Sequence, residues 1–226
     1  YEITYGDWSS DVCSSDLARE KWLQARRDEL VPTTYYHVVF TLPAEAAEIA
    51  FQNRKVVYGL LFKAASETLL TIGRDRKHLG AELGVFGILH TWGQNLEYHP
   101  HVHFVCTGGG LSADGEKWIS CLPGFFLPVR VLSRLFRRLF VEGLRKEQKA
   151  GRLKFRNRLS ELSEAEAFSA RMKQLEEMEW VVYAKPPFGG PERVLEYLGR
   201  YTHRVAISNR RLISMEGRSE EHTSEL

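Results

Sequence analysis

The segment HPHVHFVC, residues 99–106, constrains the fold more than any other part of this 226-residue chain. Successive side chains of a β-strand point to opposite faces of the sheet. If residues 101–106 are extended, the apolar members share one face: Val102, Phe104 and Cys106. The other face then carries His101, His103 and Val105. The alternation predicts a strand with one face in a core and two imidazoles side by side on the other. A strand whose histidines simply lie at a sheet surface would have the same pattern.

The two ends of the chain differ in character from the rest. Residues 1–17 and 218–226 resemble conceptual translations of a sequencing-library adapter, so we expect them to be non-native tails. Residues 18–217 are then expected to be one domain, an internal fragment of a longer protein. They contain 30 Lys and Arg against 22 Asp and Glu, a net charge of +8 in place of the +2 of the whole chain. A moderately basic domain suits a polyanionic partner.

Cysteine content and hydropathy argue against two classes of protein, disulfide-linked or thiolate-zinc proteins and membrane-spanning proteins. Residues 18–217 contain only Cys106 and Cys121, too few for a disulfide framework or a thiolate zinc site. The sequence also suggests no run of about 18 apolar residues that would span a membrane. We therefore expect a cytoplasmic protein that does not engage a membrane.

The periodicity of the remaining sequence predicts a mixture of strands and helices. Runs of β-branched and aromatic residues between turn signals predict strands: 34–42, 84–92, 101–107, 116–121, 179–184 and 204–214. Apolar residues at helical spacing, and Pro128 in a first turn, predict helices: about 53–74, 128–149 and 191–203. The charged segment 152–177 is expected to be mostly helical and to form an insertion or a mobile arm. Together these elements predict an α+β fold, an antiparallel sheet covered by helices on one face, with the histidines on the other.

A second chemical signal is the pair Tyr197 and Tyr201. Residues four apart on a helix lie one turn apart on the same face. Several cationic residues flank the pair: Arg193, Arg200, His203 and Arg204. Such neighbours suit phosphate groups, although two tyrosines at this spacing also commonly serve as packing residues.

The two signals suggest one mechanism. A metal ion held by histidines polarises a phosphodiester and neutralises developing negative charge. A tyrosine acts as a covalent nucleophile that takes over the phosphoryl group. Because the free phenol has a pKa near 10, it needs a metal-bound phosphate and nearby cations to attack at neutral pH. Two tyrosines allow two successive transesterifications.

Three motifs in combination resemble the two-tyrosine HUH transposases of bacterial insertion sequences: TWGQNLEYHP, the HxH pair and YLGRYTHRVAISN. The resemblance runs from Trp22 to Ser214. It implies an RRM-like palm, and metal ligands and nucleophiles at the matching positions: His101 and His103, and Tyr197 and Tyr201. It also implies a transposase that nicks and rejoins single-stranded DNA at the ends of its mobile element, by a rolling-circle-like route. The family's amino-terminal cysteine-rich zinc module has no match here, consistent with an internal fragment.

The third metal ligand has three candidates, and the expected ion is Mg²⁺ or Mn²⁺. His90 lies on the preceding predicted strand, and related HUH nucleases use a third histidine upstream at similar spacing, so His90 is favoured. Gln94 offers a carbonyl oxygen that suits either ion. His99 lies near the pair, although Pro100 makes the start of the strand irregular. His90 could instead be a core residue and Gln94 a loop residue, and imidazoles also suit Zn²⁺ and Ni²⁺.

Further residues are expected to contact DNA. Four carry or can carry positive charge near the predicted site: Lys185, Arg200, His203 and Arg204. The basic helix 128–149 either follows the DNA backbone or has a merely solvated face. The aromatic group Tyr35, Tyr36 and His37 either stacks on bases or packs the first strand.

Two other functions fit the same residues. A plasmid or phage rolling-circle replication initiator would use identical chemistry. A non-catalytic DNA-binding module would hold a structural metal, although such sites usually have four protein ligands and favour cysteine. The context of the tyrosine pair resembles the transposases.

Overall fold

The computed structural model describes residues 20–21, 23–25, 27, 30–93, 97–185, 192–193, 195, 212–216 and 219–223. The chain divides into two compact units. One is Val31–Val194, and the other combines Tyr1–Leu30 with Leu195–Leu226. The larger unit contains the histidine strand.

The larger unit contains strands and helices in alternation. Its strands are β1 Tyr35–Thr41, β2 Glu82–Trp92, β3 Tyr98–Leu111, β4 Trp118–Ser120 and β5 Val182–Lys185. Its helices are α1 Ala44–Gln52, α2 Arg54–Arg74, α3 Val129–Lys149 and α4 Ala165–Glu177, with a 3₁₀ helix at Asn157–Ser163. The sequence had not predicted α1, which begins directly after Pro43.

The five strands form one antiparallel sheet in the order β2-β3-β1-β5, with the short β4 paired to the far end of β3. The connection from β1 through α1 and α2 to β2 passes over β3. The connection from β3 through α3 and α4 to β5 passes over β1. Two interleaved split βαβ units result, which is the ferredoxin-like arrangement that RRM domains share. The predicted α+β class and RRM-like palm are confirmed.

The helix-facing side of the sheet forms the core. Val102, Phe104 and Cys106 are fully buried there, as the alternation predicts. Alternate residues of β1 join them: Tyr36, Val38 and Phe40. The ring of Phe40 meets Phe104 edge to face at a centroid distance of 5.9 Å and Phe136 of α3 at 5.0 Å. The alternation along β3 therefore fixes which face of the sheet the helices cover.

Helix α3 shows why the helices pack on this face. Its buried residues recur every four positions: Leu132, Phe136, Phe140 and Leu144. This spacing places them in one stripe, which packs on the sheet and on Trp180. The predicted bounds were nearly right, except that Pro128 caps the helix instead of lying in its first turn.

Segment 152–177 is helical as predicted, but it is not a mobile arm. Phe168, Met172 and Leu175 of α4 are buried in the main core. The side chain of Asn53 also ties the start of the segment down, donating to the Lys154 carbonyl and accepting from the Lys154 amide at 2.9 and 2.7 Å. The abundant charges lie on the outer side of a packed helix.

The expectation that no segment could span a membrane needs a correction. Helix α2 is long and apolar enough to do so by length and composition alone. One stripe of it is buried in the protein core, including Val57, Leu61, Ala64 and Leu69. A core helix passes the same test of length and composition.

In the smaller unit, the structure describes the backbone of an antiparallel hairpin, β6 Leu212–Glu216 and β7 Ser219–Thr223. Strand β6 overlaps the end of the predicted strand over 204–214. Of the predicted helix over 191–203, only residues 192, 193 and 195 are described, and they are helical. The non-native status of residues 1–17 and 218–226 stays a prediction.

Gly110 offers a test of the sheet. It lies between β2 and β4, and a Cβ there would come within 2.5 Å of the Glu82 carbonyl carbon. Backbone atoms cannot move aside as a side chain can. We expect Gly110→Ala to lower the free energy of unfolding by about 1–3 kcal/mol or more, measured by urea denaturation.

Gly93→Ala is the matched control, because among the described residues a Cβ there meets only the Cβ of His99, at 3.8 Å. Its midpoint should stay close to that of the parent protein. Equal midpoints for the two variants would contradict the close strand packing around Gly110.

Candidate metal centre

Strand pairing brings three histidines together on the sheet face opposite the core. In the β2–β3 hairpin His90 lies directly opposite His101, and Ile88 lies opposite His103. The ring centroids of His90 and His103 are 4.4 Å apart, those of His101 and His103 4.8 Å, and those of His90 and His101 5.3 Å. One nitrogen from each ring lies within 4.8 Å of the other two. Three ligand atoms thus converge on one point.

Burial keeps these imidazoles neutral. His90 and His103 expose only 5% and 7% of their surface. Loss of water disfavours the charged ring, and the neighbouring histidines add to that effect. Together they lower the pKa of His90 to about 3 and that of His103 to about 2. Burial also lowers the pKa of His101. At pH 7 all three rings are in the form that binds metal ions.

Hydrogen bonds orient two of the rings. Nδ1 of His101 lies 2.6 Å from the main-chain carbonyl oxygen of His99. A carbonyl oxygen can only accept, so Nδ1 donates and Nε2 carries the lone pair. Nδ1 of His103 lies 2.7 Å from Nε2 of His37 on β1. Partners of this kind fix the tautomer and the direction of metal-ligating histidines.

The orienting role of His37 was not predicted from the sequence, which offered base stacking or strand packing for this residue. In the β1–β3 ladder His37 lies opposite Val105, one diagonal step from His103. The alternation of β1 already put His37 on the face opposite Val38 and Phe40. Only the pairing of β1 with β3 shows that this is also the face of His103. Burial, Lys185 and His101 lower the pKa of His37 to about 4.

The three candidates for the third ligand fare differently. The favoured residue His90 is the one that converges with His101 and His103. His99 is exposed and contributes its carbonyl oxygen to the site. Gln94 lies outside the described residues. Cys106 is buried on the opposite face.

Of the two interpretations of the aromatic residues at the start of β1, strand packing holds for Tyr35 and Tyr36. Tyr35 and Tyr36 are each only 5% exposed. The ring of Tyr36 stacks on Phe126 at a centroid distance of 4.9 Å, and the hydroxyl of Tyr35 bonds to the backbone of Val31. Both rings therefore pack the first strand, which was the alternative interpretation.

The predicted DNA contacts are only partly within the described chain. Lys185 lies directly opposite His37 in the β1–β5 ladder, on the histidine-bearing face. The remaining predicted site residues lie outside the described residues: Tyr197, Tyr201, Arg200, His203 and Arg204.

The basic helix α3 divides its cations between two roles. Arg130, Arg134 and Arg138 are exposed. Arg137 donates to the Met178 carbonyl, and Arg145 forms an ion pair with Glu176. Arg138 also lies 3.9 Å from the Glu142 carboxylate. Part of the basic character of α3 therefore serves packing and ion pairs within the protein.

The donor set fits a divalent cation. Among the residues that the structure describes, three neutral imidazoles lie together and two of them are oriented by hydrogen bonds, which leaves coordination positions for oxygen ligands. A site with three protein ligands and open positions is the catalytic arrangement, whereas closed structural sites use four. This geometry could hold a phosphodiester oxygen against the cation.

Comparison with known proteins places the chain among transposases. The family model Y2_Tnp, described as "Putative transposase", matches residues 84–223. The chain is 62% identical over 204 residues to "Putative transposase y4qJ" of Sinorhizobium fredii, covering 90% of this chain and 51% of that protein. It is 37% identical over 98 residues to the "Transposase for insertion sequence element IS801" of Pseudomonas savastanoi pv. phaseolicola, covering 43% of this chain and 23% of that protein. The chain spans about half the length, or less, of these relatives.

Solved structures with a similar course of the chain include conjugative relaxases. A metal-bound complex of the relaxase TrwC with OriT DNA superposes with a TM-score of 0.41 at 14% identity, covering 75% of this chain and 71% of that one. TrwC with a 27-mer DNA containing the recognition hairpin and the cleavage site gives 0.38 at 15% identity, with 74% and 71% coverage.

The metal centre predicts a specific loss of binding. The double variant His101→Ala/His103→Ala removes two of three converging nitrogens, and Mn²⁺ binding measured by isothermal titration calorimetry should fall below detection. His99→Ala is the control, because it keeps the carbonyl oxygen that orients His101, and it should bind Mn²⁺ within about twofold of the parent affinity. Undiminished binding by a folded double variant would refute the assignment.

His37 predicts a smaller effect. Replacing it with Leu removes the partner of His103 Nδ1 and puts an apolar side chain of similar size in its place. We expect Mn²⁺ affinity to fall about 10- to 100-fold, and His37→Gln, whose side-chain carbonyl oxygen can accept a hydrogen bond from Nδ1 of His103, to recover most of it. Equal affinities for His37→Leu and the parent would show that His103 needs no such partner.

Proposed function

The chain belongs to the putative transposase family Y2_Tnp, and on that premise we propose that its full-length protein nicks and rejoins single-stranded DNA at the ends of a mobile element. The observation that carries the proposal is the convergence of His90, His101 and His103 on the open face of the sheet. The family match over residues 84–223 includes all three histidines and both predicted nucleophiles. The relatives' names, which refer to transposition and to an insertion sequence element, support this function.

The three histidines hold a divalent cation, which we propose to be Mg²⁺ or Mn²⁺. When bound, the cation polarises a phosphodiester and offsets the negative charge that develops on it. His101 and His103 bind through Nε2, because their Nδ1 atoms are engaged by His99 and His37. His90 completes the set from the neighbouring strand. Since the rings are already neutral at pH 7, binding requires no loss of protons from them.

Lys185 is proposed to hold a phosphate near this centre. It lies opposite His37, which in turn contacts His103. A lysine ammonium group attracts a phosphate as a compact point charge. Arg200, His203 and Arg204 are also proposed to bind DNA phosphates, because their cationic side chains flank the tyrosine pair in the sequence.

Tyr197 and Tyr201 are the proposed nucleophiles, on the basis of their one-turn spacing and their resemblance to the two-tyrosine motif. The phenolic oxygen attacks phosphorus and forms a 5′-phosphotyrosine. The bond from phosphorus to the 3′ oxygen breaks, and that oxygen takes up a proton as the phenol loses one. Rejoining is the reverse step, in which a 3′-hydroxyl attacks the phosphotyrosine and releases the phenol. The number of phosphoester bonds is conserved, so no nucleotide cofactor is consumed.

The partner is thus single-stranded DNA, and the setting is the cytoplasm, where bacterial DNA lies. A replication initiator would use the same residues, but the family and the named relatives are transposases. A structural metal site would need a further protein ligand, and Cys106 faces the core.

Covalent trapping tests the nucleophiles. The full-length protein, incubated with an oligonucleotide from the element end and Mn²⁺, should give a protein–DNA adduct that survives denaturing electrophoresis. Each single Tyr→Phe change at Tyr197 or Tyr201 should block one transfer step. The double variant should form no adduct, because neither phenol remains.

Tyr58→Phe is the matched control. Its hydroxyl bonds to that of Tyr98 at 2.9 Å, and helix α2 carries it on the side of the sheet away from the histidines. It should form the adduct at the parent rate. An adduct of full yield in the Tyr197/Tyr201 double variant would move the nucleophile elsewhere.

A further inference from the structure

We propose that edge strand β5 extends the histidine site into a track for single-stranded DNA, on which Tyr183 stacks a base and Lys185 binds an adjacent phosphate. This inference rests on the proposed function and names where the substrate runs. Among the strands that the structure describes, β5 pairs with β1 along one side and ends the five-stranded sheet. Two large side chains near this edge are well exposed, Tyr183 at 45% and Val181 at 64%.

Register places the strand's alternate residues on the histidine-bearing face. Val39 of β1 lies opposite both His103 and Tyr183, so these three form one row across the sheet. Neighbouring strands are about 4.8 Å apart, which puts Tyr183 roughly 10 Å from His103. His37 and Lys185 occupy the next row. A strand of DNA held at the metal centre therefore passes over Tyr183 if it crosses the sheet towards β5.

The chemistry of the edge suits a polyanion with flat bases. The ammonium nitrogen of Lys185 lies 4.9 Å from the centre of the Tyr183 ring. The sequence from 181 to 185, VVYAK, contains no acidic residue. Proteins that bind single strands combine positive charge along the backbone with exposed aromatic rings on which bases stack, and RRM sheets display such rings on their open face. Tyr183 and Lys185 supply one of each.

A second pair of the same chemistry lies on the other side of the sheet. The guanidinium of Arg54 lies 4.9 Å from the ring centre of Phe51, and Phe51 is 54% exposed. Phe51 lies in the last turn of helix α1 and packs edge to face on Tyr98. If an exposed ring beside a cation were enough to bind DNA, the two pairs would behave alike. If the histidine-bearing face guides the strand, only Tyr183 and Lys185 contribute.

The test is binding of a fluorescently labelled oligothymidylate to the 226-residue chain, measured by anisotropy in EDTA at several salt concentrations. Without metal no cleavage occurs, so the result does not depend on the tyrosine nucleophiles or on the histidine ligands. Tyr183→Ala should weaken binding about 5- to 150-fold, the range for loss of one stacked base, with the salt slope unchanged. Tyr183→Phe, which keeps the ring, should bind within about twofold of the parent.

Lys185→Gln should reduce the slope of log affinity against log salt by about 0.7, the value for one phosphate contact on a single strand, and Lys185→Arg should restore it. An oligonucleotide with abasic sites should bind the parent more weakly than oligothymidylate does. It should bind Tyr183→Ala and the parent with equal affinity. Phe51→Ala should leave affinity and slope unchanged. Thermal melts of each variant confirm that it is folded.

Several results would overturn the proposal. Equal losses for Phe51→Ala and Tyr183→Ala would show that any exposed ring contributes. Weaker binding of abasic DNA by Tyr183→Ala than by the parent would rule out base stacking on Tyr183. Unchanged DNA binding together with altered self-association in sedimentation would assign the edge to pairing with a second copy. The adduct assay with the Tyr197 and Tyr201 variants tests the proposed function alone. Weaker DNA binding by Tyr183→Ala supports the DNA track on β5 even if no adduct ever forms.

Discussion

The pairing of β3 with its two neighbours is the constraint on which the rest of the structure depends. Strand β3 is central, and its alternation sends one set of residues into the core and the other to the open face. Because directly paired residues of neighbouring strands share a face, its register with β2 brings up His90 and its register with β1 brings up His37. A shift of one residue in either ladder would move these side chains to the wrong side. The hydrophobic core on the other face of the sheet thus holds these histidines in place.

The position of the histidines in the sheet explains their electrostatics. Three imidazoles in one shallow, dehydrated cluster are costly to charge, and each lowers the tendency of the others to bind a proton. Packing alone does not explain the cluster, because apolar residues would fill the same space without burying polar nitrogens. A bound cation would accept lone pairs from the neutral rings and so makes use of the crowding. Beyond the cluster, positive charge from Lys185 continues across the same face.

Local sequence patterns predicted much of the fold. The features that they did not predict depend on pairing between strands that are far apart in the sequence. Alternation in residues 101–106 was enough for β3, and four-residue spacing was enough for α3. His90 could be favoured because it lies on the adjacent strand of a hairpin. His37 could not be placed, since 66 residues separate it from His103 and no periodicity reports which distant strand pairs with β1. Segment 152–177 was misjudged because its charges outnumber the three buried residues of α4 that anchor it.

Three histidines of the site lie close together in the sequence and the fourth, His37, lies far from them, which affects the order in which their contacts form. All three histidines belong to one hairpin, β2 and β3, whose connection is short, whereas His37 lies on β1, which comes earlier in the chain and is joined to the hairpin through two helices. Contacts between residues close in sequence form at lower entropic cost than contacts that close a long loop. The hairpin is therefore expected to bring its three histidines together before β3 pairs with β1 and places His37 beside them. A cation bound at that stage would stabilise the hairpin on which the other strands assemble.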